Sequence, residues 1–424
     1  MEGEIFNNIN ENPYQNLLKK KKKNVLITKK GNNYRKMLYL LFLIILILSI
    51  NIIERDYYNT TIKKGDFLIE GIINNSYYPE FEKIKENFIK YPELEPYLSQ
   101  IKILNHVYST NIDLVKQNKT NVHVCMAMNS DNYIFPILVS ITSALENCNL
   151  NKTFLTYHIL CGPDITNLTI LILRSLINNY PFNFEIIFYD MGKNFIQLYH
   201  KRISQACYYR ILSPIIFNVD TIIYLDGDTL VLNDLNEMYQ YSTGNNYILG
   251  FLEYSSYNEM DKIGIYTDKY INSGVILLNL QKMRKDDKIF EIVKAVKDKK
   301  YLGKQDQSLL NYVFYQRIDI LPSKFVIFNF FEEGDAEIYL NSIRVNLDIE
   351  EFIEAIKNPT IVHLVLCSPK AWLSRTKTKT DLTVCQKRNE CRCERDHNLW
   401  YYYASKTYFL DEIKRLYHMK YKKI

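Results

Sequence analysis

With 424 residues, 47% of them hydrophobic and 24% charged, the chain has apolar material for one large domain or two ordinary ones, which excludes a disordered or fibrous polypeptide. The formal net charge is +6, and residues 1–36 carry the whole surplus, with nine Lys or Arg against three Glu. The remainder is balanced and lacks the basic footprint of a nucleic-acid binder.

The basic run Lys19 to Lys23, with Lys29, Lys30, Arg35 and Lys36, precedes residues 37–53, MLYLLFLIILILSINII, which contain no charge. A bilayer-spanning helix takes about 17–25 residues. This stretch is therefore expected to be a transmembrane anchor. A buried core helix is one alternative, although the run shows no polar face. A cleaved signal peptide is another, although no small-x-small cleavage site follows. The Lys/Arg excess before the span predicts a cytosolic tail, residues 1–36, and a lumenal remainder, as in a single-pass type II protein of the Golgi or endoplasmic reticulum membrane. Asn-x-Ser/Thr sequons at Asn59, Asn74, Asn118, Asn151 and Asn167 all follow the span. Among eight cysteines, Cys385, Cys391 and Cys393 cluster near the end, where disulfides or free thiols are both open readings.

Residues 54–120, polar and punctuated by Pro79, Pro92 and Pro96, read as a lumenal stem. From residue 121 short apolar runs alternate with amphipathic stretches, and residues 121–424 read as one domain. Strands are predicted at 122–126, 154–160, 184–189 and 221–225. Helices are predicted at 134–146, from an Asp164 N-cap to 179, and at 203–212. Strands alternating with helices imply an α/β fold with a mainly parallel sheet, whose ligands bind beyond the carboxyl ends of the strands.

Chemistry-bearing residues follow those apolar runs. Asp226-Gly227-Asp228 closes the strand 221–225. Residues i and i+2 of an extended chain face one side, so two carboxylates meet at one spot, a hard-oxygen pair suited to Mg²⁺ or Mn²⁺. Two solvated loop aspartates are the plainer alternative. Further on come Tyr270-Ile-Asn272-Ser273-Gly274 before a strand, Lys304-Gln-Asp306-Gln307 opening a helix, and His363 ending a strand ahead of Pro369-Lys370-Ala371-Trp372. A lone histidine after a strand is often structural, but His, Lys and Trp in one loop could serve a metal-bound phosphate.

The ordered blocks YLDGDTLV, YINSGVILLNL, KQDQSLLN, NPTIVH and PKAW resemble glycosyltransferase family 8 over about residues 121–375, and Trp400-Tyr-Tyr-Tyr-Ala-Ser-Lys resembles that family's C-terminal aromatic helix. The resemblance implies a GT-A type nucleotide-sugar-binding fold with a mixed, mainly parallel sheet. It implies a retaining enzyme that uses a UDP-sugar and Mn²⁺, with Mg²⁺ as the alternative ion. By the same likeness Asp226, Asp228 and His363 are the metal ligands, Asn132 and Tyr133 contact uridine, and Arg210 lies in the donor site. Asn272 and Ser273 line the sugar, Asp306 and Gln307 sit beside the anomeric carbon, and Lys370 contacts the diphosphate. Two departures stand out. Ser130-Asp131 replaces the family's usual acidic pair. The loop after His363 is one residue longer than the family's, lacks its Gly, and places Pro before the Lys.

The expected reaction moves a hexose, galactose or glucose, to a glycan, glycoprotein or glycolipid acceptor. The ion and Lys370 would stabilise the leaving diphosphate, so no carboxylic-acid proton donor is required. Gln307 is a neutral amide and Asp306 is the one nearby carboxylate the motifs offer, so front-face transfer without a covalent intermediate is favoured. A glycosidase, which would need two facing carboxylates, and a catalytically impaired sugar-nucleotide-binding module are the competing readings.

Overall fold

The computed structural model describes residues 92, 98–108, 115–181, 183–193, 204–253, 257–297, 305–329, 331, 334, 336–343, 345, 347–365 and 390–414. All lie in one compact unit, Glu70–Ile424. The expected anchor at 37–53 falls outside them, and among the described residues no helix is long and apolar enough to cross a membrane.

An eight-stranded sheet forms the centre, in the order β1-β4-β3-β2-β5-β8-β7-β9. Its strands are β1 (Lys102–Val107), β2 (Thr120–Ser130), β3 (Thr153–Asp164), β4 (Phe184–Asp190), β5 (Thr221–Leu225), β7 (Ile248–Leu252), β8 (Ile271–Asn279) and β9 (Ile318–Ile320). A second sheet has the order β10-β11-β6, from β6 (Thr229–Val231), β10 (Val326–Phe328) and β11 (Ile361–His363). The helices that matter for the site are α1 (Ile134–Asn147), α2 (Asn167–Arg174), α3 (Ala206–Tyr209), α4 (Lys288–Lys297), α5 (Gln305–Phe314) and α6 (Glu390–Ala404).

The near-continuous apolar runs have a simple cause: the sheet is buried on both faces. Val122, Val124, Met126 and Met128 of β2 enter one core with Ile223 and Leu225 of β5. The alternate residues Cys125 and Ala127, with Ile222 and Tyr224, enter the other. Each fully buried aliphatic side chain contributes roughly 1.5–3 kcal/mol, so both faces hold the strands in register. Helix α1 is buried from Ile134 to Leu145. Two of its three hydroxyls are used against β6: Ser143 Oγ accepts from the Val231 amide at 2.8 Å, and Ser140 Oγ lies 3.1 Å from Thr229 Oγ1. The aromatic α6 packs on α1, burying Trp400, and the Asn147 amide donates to the Tyr403 hydroxyl at 2.7 Å.

The large sheet is mixed and mainly parallel, as expected: β2-β3, β3-β4, β2-β5 and β7-β9 pair parallel, and β1-β4, β5-β8 and β7-β8 antiparallel. Other expectations are revised. Asp164 ends β3 and caps nothing; the N-cap of α2 is Thr166. The helix expected at 203–212 is, in its described part, the single turn α3 followed by a 3-10 turn at Arg210–Leu212. Asn272, Ser273 and Gly274 lie inside β8. Within residues 54–120, read from sequence as a stem, β1 pairs antiparallel with β4 at the sheet edge.

Strand order reverses between β2 and β5: β3 and β4 extend the sheet to one side, and the later strands to the other. The crevice outside the carboxyl ends of strands at such a switch point is where open α/β sheets bind ligands. The turn after β2 and the turn after β5 flank it.

Candidate active site

The chain leaves β5 at Leu225 and enters β6 at Thr229, so Asp226-Gly227-Asp228 forms the corner between the two sheets. The corner is pinned from several sides. The Asp226 amide donates to the Gly274 carbonyl at 2.7 Å, Thr229 Oγ1 donates to the Asp226 carbonyl at 2.7 Å, and the Leu364 amide donates to the Asp228 carbonyl at 2.8 Å. β11 lies antiparallel to β6 with His363 opposite Thr229, which brings the imidazole to the two carboxylates. His363 Nε2 is 3.2 Å from Asp228 Oδ1 and 4.0 Å from Asp226 Oδ2. One ligand atom from each of the three falls within 4.8 Å of the others.

Two glycines keep this space open. A Cβ on Gly274 would lie 2.2 Å from His363 Cε1 and 2.6 Å from Asp226 Oδ2. A Cβ on Gly227 would lie 2.6 Å from the ring of Tyr133. Among the described residues His363 Nδ1 is buried without a hydrogen-bond partner, and the ring's polar contacts run through Nε2, which faces the Asp pair. Two carboxylates and one imidazole, confined but unobstructed, fit a divalent cation.

Beside this triad lies a buried polar network. The Arg210 guanidinium stacks on Tyr224 at 3.7 Å, pairs with Asp226 at 3.1 Å and Asp306 at 3.3 Å, and donates to the Ser273 carbonyl. The Tyr224 hydroxyl donates to Asp226 Oδ1 at 3.0 Å. Burial alone would lower the Arg210 pKa, but Tyr224, Asp306 and Asp226 hold it up, and the guanidinium stays charged. Burial raises the Asp306 carboxyl above its usual range although Arg210 opposes this.

At the amino end of α5, Asp306 accepts from Ser273 Oγ at 3.2 Å. Gln307 accepts from the Ser273 amide at 3.3 Å and donates to Glu253 at 3.2 Å, while Asn272 donates to the same Glu253 oxygen at 2.9 Å. Asn132 is exposed on the turn Asp131–Tyr133, across the switch crevice from the Asp corner.

Ten of the eleven residues singled out from the sequence therefore lie in or beside this crevice. The eleventh, Lys370, lies outside the described residues with its neighbours Pro369 and Trp372. Three participants were missed. Glu253, one residue beyond β7, fixes both Asn272 and Gln307; an acid straight after the buried run Ile-Leu-Gly-Phe-Leu was the available signal. Tyr224, on β5 two residues before Asp226, supports both Arg210 and Asp226. Asp131, in the position where the resemblance expects an acidic pair, is a clasp: it accepts from the Thr166 amide at 2.9 Å and the Thr169 hydroxyl at 2.6 Å at the start of α2.

The family model described as Glycosyl transferase family 8 matches residues 123–376, more than half the chain. This chain belongs to glycosyltransferase family 8. Among curated proteins it is 28% identical over 227 residues to a lipopolysaccharide 1,2-glucosyltransferase of Escherichia coli, a match covering 50% of this chain and 66% of that protein. Among solved structures it is similar to a galactosyltransferase, LgtC, in complex with donor and acceptor sugar analogs. That likeness has a TM-score of 0.51 and 21% identity, and covers 66% of this chain and 95% of LgtC. A bifunctional glycosyltransferase, WbbM, is similar at a TM-score of 0.50 and 20% identity, over 70% of this chain and 51% of WbbM. Family membership rests on the family match, and the structural likeness supports the GT-A type fold.

Proposed function

We propose that this family 8 glycosyltransferase transfers a hexosyl group, glucose or galactose, from a UDP-sugar to a carbohydrate acceptor with retention of configuration. The observation that carries the reading is the Asp226, Asp228 and His363 cluster at the switch crevice, open to a donor yet fixed by two sheets. Asp226, Asp228 and His363 would hold the cation, and the imidazole in the set favours Mn²⁺ over Mg²⁺, which prefers oxygen alone. When bound, the ion supplies Lewis-acid stabilisation of the departing diphosphate.

The chain's own groups position the sugar. Arg210 fixes Asp226 and Asp306 at once, so the ion site and the sugar end cannot drift apart. Gln307 is locked at both ends of its amide, and its role is orientation. Asp306 is buried and already engaged by Ser273 and Arg210, which suits a group that stabilises developing positive charge better than one that attacks carbon. The acceptor hydroxyl then attacks from the leaving-group side and gives its proton to the departing phosphate. Lys370 is assigned to the diphosphate by the resemblance alone.

We further propose a type II membrane protein of the Golgi or endoplasmic reticulum, anchored by residues 37–53, with a glycan, glycoprotein or glycolipid acceptor. The sequon asparagines Asn118, Asn151 and Asn167 are exposed, as lumenal glycosylation requires. The deciding measurement is UDP release from UDP-glucose and UDP-galactose by full-length protein, with Mn²⁺ and then with chelator. Release that depends on Mn²⁺ and is restored on re-addition is expected. Undiminished release in chelator would remove the ion from the reaction, and donor binding with no release from any UDP-sugar would leave a binding module.

A further inference from the structure

A cavity of about 700 Å³ lies away from the Asp corner, between α4, the carboxyl-terminal turn of α5 and the loop after Gly264. It shares no residue with the ion and donor cluster, and its volume lies in the range of small-ligand sites, roughly 300–1,000 Å³. We infer that it is a second carbohydrate site that takes an anionic oligosaccharide, a chain of pyranose rings bearing carboxylates.

The lining carries both parts of that recognition. Tyr247 lines the cavity but is buried, its hydroxyl on Asp286 at 2.8 Å and the Lys282 and Lys288 ammonium groups over its ring at 5.2 and 5.3 Å, so stacking surface comes from the other tyrosines. Tyr312 is partly buried, Tyr315 is 37% exposed, and Tyr266 is 87% exposed. A tyrosine presents a rigid apolar face with a polar edge, which matches the apolar face and hydroxyl rim of a pyranose. Tyr266 and Tyr315 thus leave ring surface at the cavity open for a pyranose to stack on.

Charge selects the anionic class. Lys288, Lys294 and Arg317 line the cavity against a single acid, Glu291. Lys288 already pairs with Glu291 at 2.5 Å. Among the described residues Arg317 uses one N–H on the Asn245 carbonyl at 3.1 Å, which leaves the rest of its fork for a carboxylate, and Lys294 is an exposed residue of the same lining. Phe314, at this end of α5, is seven residues from Gln307 at the reaction cleft, about 10 Å at 1.5 Å per residue. The binding does not depend on turnover and stands apart from the transfer reading.

The test is calorimetric titration of full-length protein with a hexasaccharide of α-1,4-linked galacturonate, with maltohexaose as the uncharged counterpart. Saturable binding of the galacturonate chain is expected, with maltohexaose at least tenfold weaker. Tyr266→Ala and Lys294→Glu should each weaken it at least tenfold, leaving UDP binding and melting temperature unchanged. No binding by the unaltered protein would overturn the inference, and equal binding of maltohexaose would overturn the anionic class. Retained affinity in Tyr266→Ala would reduce the cavity to a charged patch. Loss in Asp228→Asn with retention in Lys294→Glu would place the oligosaccharide in the donor cleft instead.

Discussion

Two polar clusters lie at opposite ends of the large sheet. Toward the amino ends of β2, β3 and β4, Glu185 lies 2.8 Å from His106 Nε2, accepts from Lys116 Nζ at 2.5 Å, and is 2.7 Å from the Thr156 hydroxyl. The chain of contacts continues through Asn121 to His123, then His158 at 3.0 Å and the Tyr189 hydroxyl at 3.1 Å. At the carboxyl ends, Asp226, Asp228 and Asp306 face one Arg210. The first cluster satisfies itself: Lys116, His106 and Thr156 converge on its one carboxylate, and the links beyond Thr156 run between side chains of Asn, His and Tyr. Among the described residues the second sets three carboxylates against one guanidinium, a balance that suits a bound cation. Burial of polar groups alone therefore does not mark a reactive site; carboxylates gathered at a switch point do.

The contrast can be broken first at the unbalanced end. Asp228→Asn should lower turnover by about 10²–10³-fold, the scale of removing one charge-stabilising group, while the melting temperature stays near that of the unaltered protein. Activity within tenfold of the original would remove Asp228 from the ion. The self-satisfied end should behave in the opposite way. Glu185→Gln leaves His106 and Lys116 without their anion and should cost about 3 kcal/mol, read as a lower denaturation midpoint. UDP affinity measured on the folded fraction should not change. A stable variant with weakened donor binding would show that the two ends communicate.

The self-satisfied end should also show in the response to pH. Burial lowers His123 to about 4 and His158 well below its ordinary value. Below the unfolded pKa of about 6.5 the unfolded chain then binds protons that the folded chain refuses. Stability is thus full above about pH 6.5 and falls as pH drops toward 4, by at most about 1.4 kcal/mol per pH unit for each histidine. Glu185, lowered to about 2 by His106 and Lys116 against burial, adds its own loss only below the ordinary carboxylate range. Denaturant melts at pH 7, 6 and 5 should show this slope, and His123→Gln should flatten it. A slope unchanged by that substitution would assign it elsewhere.

Much of the candidate site was legible because it follows buried strands. The run Thr221–Leu225 is as apolar as its burial on both faces requires, so the Asp pair announced itself by position. What escaped was less patterned. β1, Lys-Ile-Leu-Asn-His-Val, is a half-exposed edge strand without an apolar run. The stretch expected as one helix at 203–212 tightens into a 3-10 turn that aims Arg210 at Asp226, a local geometry that no periodicity encodes. The self-satisfied cluster was invisible, because His123, His158 and Glu185 are 27 to 62 residues apart and meet only through strand pairing.

The small sheet works as a gauge. The spacing between carboxylates and imidazole is set by β6 against β11, with Val362 opposite Leu230 and His363 opposite Thr229. Side chains alternate faces along a strand, so a slip of one residue would swing His363 to the far side and present Val362 to the aspartates. An insertion or deletion in β11 would therefore act on this chain as the loss of a ligand, even with every named side chain still present.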